Sequence, residues 1–186
     1  MYIVLVALLV VGMALAWASR QRGGGGVLVD KRFEDLVSGA PESLRVSVEG
    51  IGADGRIAVE YTCDGPDRAP RVEVSGVPAD AKSVALIMYD PDAPLGTFIH
   101  WLAYQPAAPT VSFPSPNAVE GRNDFRRIGY GGPCPPPGHG PHRYFFLVLA
   151  LDRDPGLSRG YTLNQLLNTI RGHALAWGYA MGTYSR

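Results

Sequence analysis

Three apolar runs, each bounded by turn residues, constrain the fold of this chain more than any other feature. They are Ser83–Asp90 (SVALIMYD), Phe98–Tyr104 (FIHWLAY) and Arg143–Asp152 (RYFFLVLALD). Each has strand length and is almost wholly apolar, the pattern of strands in a sheet covered on both faces. Shorter segments alternate with period two. LRVSVE (Leu44–Glu49) and RIAVEYT (Arg56–Thr62) flank the turn-rich GIGADG, which predicts a hairpin, and RVEVSGVP follows the polar loop CDGPDRAP. One amphipathic helix is expected from Thr162 or Asn164, with Leu163, Leu166, Leu167 and Ile170 on one face. Leu175 and Trp177 extend its apolar character, and Gly178 or Gly182 is a stop signal. The expectation is therefore a mainly β (β-rich α+β) domain closed by a C-terminal α-helix, with no internal repeat.

A different signal occupies the N-terminus. Tyr2–Ser19 carries no charge, and as a helix its length would be about 27 Å, close to the roughly 30 Å hydrocarbon core of a bilayer. Trp17 stands near its end, and Arg20 and Arg22 follow. We read residues 1–19 as a transmembrane helix or signal anchor, 20–42 as a Gly-rich linker and lead-in, and 43–186 as the folded domain. KRFEDLVSG (Lys31–Gly39) is a candidate short helix within the lead-in. Arginines after the apolar run favour a cytoplasmic domain. The only cysteines, Cys63 and Cys134, are a disulfide candidate that would favour an oxidising, extracytoplasmic side. The two signals oppose each other; the extracytoplasmic side is preferred.

Seventeen basic and seventeen acidic residues cancel, so nothing in the composition predicts a nucleic-acid surface, which would show as a clustered basic excess. No P-loop, G-x-S-x-G or dinucleotide fingerprint occurs. Polar groups of chemical interest cluster instead at the ends of the apolar runs. DPDAP (Asp90–Pro94) ends the first run, and His100 lies near the start of the second. The Pro/Gly-rich stretch Gln105–His142, expected to hold little regular structure, leads into His142 and Tyr144 at the start of the third. Residues two apart on a strand share a face, so Asp90, His100, His142 and Tyr144 can line one pocket. Glycines of the preceding loop offer backbone N–H groups to a ligand. Two imidazoles, a phenol and amides suit a phosphate or carboxylate, and a nearby aspartate would hold a histidine cationic. Each residue also has a plain structural reading: Asp90 and Asp92 as turn formers, His100 as a core histidine. His139 and His142 have a His-x-x-His spacing but no recognisable third ligand, so no metal is expected.

Taken in order, DPDAP, His100–Trp101, and GYGGPCPPPG followed by HRYFF resemble the phosphatidylethanolamine-binding protein family, also called Raf-kinase-inhibitor-like. GPCPPPG and YTCDG (Tyr61–Gly65) are closest to its bacterial and archaeal branch. The resemblance spans roughly Ser43 to Arg186. It implies an antiparallel Greek-key sheet core with a C-terminal helix, and a cavity that binds small anions such as phosphate or a phosphoethanolamine head group. Carried over by position, the ligand-binding residues are Asp90, Pro91, His100, Gly131, Gly132, Pro133, His142 and Tyr144, while Asp92, Pro94 and Arg143 build the loop. Eukaryotic members regulate kinases and some inhibit serine proteases. The expected function is non-enzymatic binding of a small anionic ligand or phospholipid head group at a membrane, with no cofactor. The alternatives are a regulator with a kinase or peptidase partner, or a hydrolase using an Asp–His pair.

Overall fold

In the computed structural model, which describes residues 29–186, the three apolar runs lie side by side. A five-stranded antiparallel sheet has the order β6-β4-β3-β7-β8, with β3 Ser83–Asp90, β4 Phe98–Pro106, β6 Val119–Glu120, β7 His142–Leu151 and β8 Ala174–Tyr184. A three-stranded antiparallel sheet, β1 Arg45–Val48, β2 Val72–Ser75 and β5 Thr110–Phe113, packs against it. Two short helices, α1 Glu34–Val37 and α2 Leu163–Ile170, contribute to the opposite side.

Strand β3 shows why its sequence is apolar from Val84 to Tyr89. Val84, Leu86 and Met88 enter the core between the two sheets, beside Val72, Val74 and Phe113. Ala85, Ile87 and Tyr89 enter the other core, beneath Phe33 and Leu36 near α1 and Leu166 and Ile170 of α2. Each of these larger side chains contributes about 1.5–3 kcal/mol by leaving water. The lead-in 29–42 is thus packed against the sheet, with Phe33 and Leu36 buried.

Three expectations need correction. The C-terminal helix ends at Ile170, and 174–184 is the last strand of the large sheet, paired with β7 along its length. Gly172, at φ 75°, turns the chain between them. Gly178 and Gly182 are not stops: they leave room for the Leu44 carbonyl and the Ile57 side chain to approach β8. Secondly, 44–62 turns back only at its tip, where Ile51 and Ile57 form an isolated antiparallel bridge and the Ala58 and Gly52 amides donate to the Gly50 and Arg56 carbonyls, and the two predicted strands do not pair. β1 pairs with β2, whereas Ile57 donates its N–H to the Thr183 carbonyl and Val59–Tyr61 forms a 3-10 turn. Ile57 and Tyr61 are buried while Val59 between them is exposed, which a flat strand with one covered face would not give. Thirdly, the Pro/Gly-rich stretch contains the short strands β5 and β6. The apolar run 1–19 and the glycines 23–26 lie outside the described residues.

Candidate functional site

The antiparallel pairing brings the end of β3 beside the beginnings of β4 and β7. The β3–β4 register breaks between Met88, opposite Trp101, and Tyr89, opposite Ile99, so His100 is the extra residue. Such a bulge re-aims a side chain. Here it carries His100 to the same cavity as Asp90, His142 and Tyr144, a space of about 300 Å³. All four are buried. The sequence places these four residues together, and the fold brings them together.

Their hydrogen bonds fix distinct roles. His100 Nδ1 donates to the Gly131 carbonyl at 2.7 Å. Burial pushes the His100 pKa below the ordinary histidine value, against the opposing pull of that carbonyl and of Asp90. Its ring is therefore neutral near pH 7, and Nε2 is an acceptor with no partner among the described residues. The expectation of cationic histidines is wrong for His100, because its burial outweighs the nearby carboxylate. Asp90 holds the other histidine instead: its Oδ2 accepts from His142 Nδ1 at 2.7 Å, and its Oδ1 accepts from the Asp92 amide at 2.7 Å. His142 Nε2 lies 2.7 Å from Nδ1 of the exposed His139. The His-x-x-His pair thus bonds to itself, behind Asp90.

Tyr144 is the anomaly. Its hydroxyl is enclosed and has no hydrogen-bond partner of sound geometry. Burial first, then the neighbouring Asp90 carboxylate, push the phenol's pKa up, so it stays protonated and able to donate. Tyr144 lines the cavity with Asp90 beside it, and because buried hydroxyls without partners are uncommon in folded proteins, a ligand acceptor that reaches this one would complete it.

Other expected residues sit behind the cavity. Gly131 donates its N–H to the His100 carbonyl at 3.0 Å, and Gly132 donates to Asp67 Oδ1 at 2.7 Å. Pro133 accepts from the Cys63 amide at 3.1 Å. These glycine amides are therefore spent on the loop's own shape and are not free for a ligand, contrary to expectation. Pro91 does not line the cavity either. Cys134 does, and it is disulfide-bonded to Cys63 with the Cα atoms 5.4 Å apart, tying this wall to the loop after the 3-10 turn. Asp92 grips Arg143 through its backbone N–H and through Nε and Nη2, at 2.7–2.9 Å, and these bonds hold the Asp92 carboxyl below the usual carboxylate range.

Sequence reasoning missed the apolar wall: Leu95, Phe98, Phe125, Pro135 and Pro136. Phe98 and Phe125 meet edge to face at 4.7 Å and both pack on the His100 ring. Leu95 is wholly exposed at the cavity mouth, and in sequence a lone leucine in a turn is no signal, since single surface hydrophobics are common. The site thus offers one unpaired donor, one neutral acceptor and a buried carboxylate–histidine pair under an apolar collar.

The chain is similar to several known proteins. Residues 49–185 match the profile of a family described as phosphatidylethanolamine-binding protein. A UPF0098 protein of Pyrococcus abyssi is 41% identical over 162 residues, covering 81% of this chain and 90% of its own. One from Aquifex aeolicus is 46% identical over 135 residues, covering 68% of this chain and 79% of its own. Among solved structures, a phosphatidylethanolamine-binding protein homologue of Chlamydia trachomatis superposes with a TM-score of 0.70 at 35% identity, over 78% of this chain and 99% of its own. Escherichia coli YbcL, described as a new member of the mammalian family, gives 0.70 at 28%, over 77% and 99%.

Proposed function

This chain belongs to the phosphatidylethanolamine-binding protein family, and from that premise we propose that it is a membrane-tethered binding protein whose cavity holds a small phosphate-type anion or a phosphoethanolamine head group without turning it over. The orphan Tyr144 hydroxyl carries this reading. A phosphate that keeps one proton has both an acceptor oxygen for Tyr144 and an O–H for the neutral His100 Nε2, so one ligand satisfies both groups. An ammonium group on the same ligand has Asp90 as its counter-charge. The alternative acid–base use of an Asp–His pair is less favoured for Asp90 and His142, because His142 Nε2 is already engaged with His139.

The tether reading rests on the uncharged run Tyr2–Ser19; among the described residues no helix is long and apolar enough to cross a membrane. The Cys63–Cys134 bond favours an extracytoplasmic domain. A regulatory protein partner is a second reading, favoured by the exposed Leu95 and Phe125 at the cavity mouth, which offer an apolar lip to a kinase or peptidase.

The test is the melting temperature of the full chain in neutral detergent, titrated with phosphate and with O-phosphoethanolamine. A saturable rise supports binding; no rise with either counts against it. Release of inorganic phosphate from a panel of phosphoesters, abolished by Asp90→Asn, would replace the binding reading with a hydrolase.

A further inference from the structure

The loop that brings Phe125 to the cavity turns its neighbours elsewhere. Exposed Arg122, Asp124 and Arg126 line a separate cleft of about 360 Å³ with Arg32, Thr162, Leu163 and other residues of that face. The loop is firmly placed. The Arg122 amide donates to the Tyr161 carbonyl at 2.7 Å, and Asp124 both donates to the Ile99 carbonyl and accepts from the Ile99 amide. Arg126 holds a left-handed φ of 65° within a turn closed by Asn123 and Arg127.

Charge in this cleft is unbalanced. Seven of the described arginines, including Arg127 and Arg143, pair with carboxylates. Among the described residues Arg45, Arg56 and Arg153 do not, and neither do Arg32, Arg122 and Arg126, the three that share this cleft, where Arg32 Nη1 donates to the Thr97 carbonyl at 3.0 Å. Asp124 is the one acid in the lining, and one of its oxygens is committed to the Ile99 amide. Helix α2 starts at the same place. Its capping box satisfies Thr162 and Gln165, but the amides of Leu163 and Asn164 have no acceptor among the described residues. Those open donors add to the positive end of the helix dipole. The guanidinium forks of Arg122 and Arg126, with the N–H groups of Arg32 not spent on Thr97, stand beside unpaired amides and match the several oxygens of a phosphate better than the two of a carboxylate.

We propose that the Arg32–Arg122–Arg126 cleft is a second anion site, distinct from the cavity, that takes the phosphate of an anionic phospholipid. The lipid source rests on the tether reading. Nine residues separate Ser19 from Val29, and ten such steps reach at most about 36 Å, so a chain anchored by its apolar run can bring Arg32 to the bilayer surface. Basic residues near an anionic surface add binding energy until salt screens them.

The experiment titrates the full chain, in neutral maltoside micelles, with phosphatidylglycerol and with soluble glycerol phosphate, reading the apparent Kd from the melting temperature. Phosphatidylglycerol is expected to bind more tightly than glycerol phosphate. The double variant Arg122→Gln/Arg126→Gln is expected to weaken it about 30-fold, and Tyr144→Phe to leave it unchanged. Arg32→Gln, on a different segment, is expected to weaken it in the same direction. Wild-type affinity in the double variant overturns the site, and equal affinity for glycerol phosphate overturns the lipid assignment. Sedimentation of the full chain with neutral phosphatidylcholine vesicles reads the tether by itself, so its failure is separable from failure of the cleft.

Discussion

The Asp90 carboxylate lies 2.7 Å from Nδ1 of His142, and both side chains are almost completely buried. The bond links the last residue of β3 to the first of β7, and the same carboxylate takes the Asp92 amide, so it also shapes the turn carrying the cavity wall. Replacing it leaves polar partners without an acceptor of equal strength.

Asp90→Asn is therefore expected to destabilise the protein by about 1.5–3 kcal/mol, the range for a buried hydrogen bond to a charged group. Urea unfolding of wild type and variant measures it. A change near zero would mean that the bond contributes little beyond what water would supply.

Tyr144→Phe separates stability from binding by sign. Removing a buried hydroxyl that lacks a partner should leave stability unchanged or raise it by about 1 kcal/mol in the absence of ligand. Loss of more than about 1 kcal/mol in the same unfolding measurement would show that the hydroxyl already has a partner.

Acid should weaken the fold through His100. Its folded pKa lies below the unfolded value of about 6.5, so below that pH the unfolded chain binds the proton the folded chain refuses. Stability is full above about pH 6.5 and falls as pH drops toward the folded pKa, by at most about 1.4 kcal/mol per pH unit from this group. His100→Gln should flatten that part of the curve in unfolding measurements between about pH 8 and 5. An identical slope in the variant would assign the acid sensitivity elsewhere.

The Cys63–Cys134 bond closes a separation of 71 residues. On the chain-entropy account its loss costs about 4 kcal/mol. The double variant Cys63→Ser/Cys134→Ser should lose stability of that order and bind ligand more weakly, since Cys134 forms part of the cavity wall. Unchanged stability in urea would mean that the folded loops already hold one another without the bond.

What the sequence discloses follows from where each signal is local. The doubly covered strands are legible because β3 is apolar at almost every position, and the four polar residues of the cavity because each ends or begins such a run. The fate of 174–184 is not, since ALAWGYA is apolar enough for either a helix or a strand. Only pairing with β7 and the close approach of Leu44 to Gly178 decide it. The use of the loop amides is equally hidden. Gly132 donates to Asp67, 65 residues away, and Asn123 bonds the Gly129 carbonyl, partnerships that depend on the folded path of the chain. The protonation of His100 is hidden for a related reason, because it is set by burial and not by its neighbours in sequence.

Calorimetric titration of the full chain with O-phosphoethanolamine, for wild type and Tyr144→Phe, tests the central claim most directly. The account predicts saturable one-to-one binding by wild type and a loss of about tenfold or more in the variant, the worth of one hydrogen bond to a charged oxygen. Absence of binding to wild type, or equal affinity in the two proteins, would contradict it.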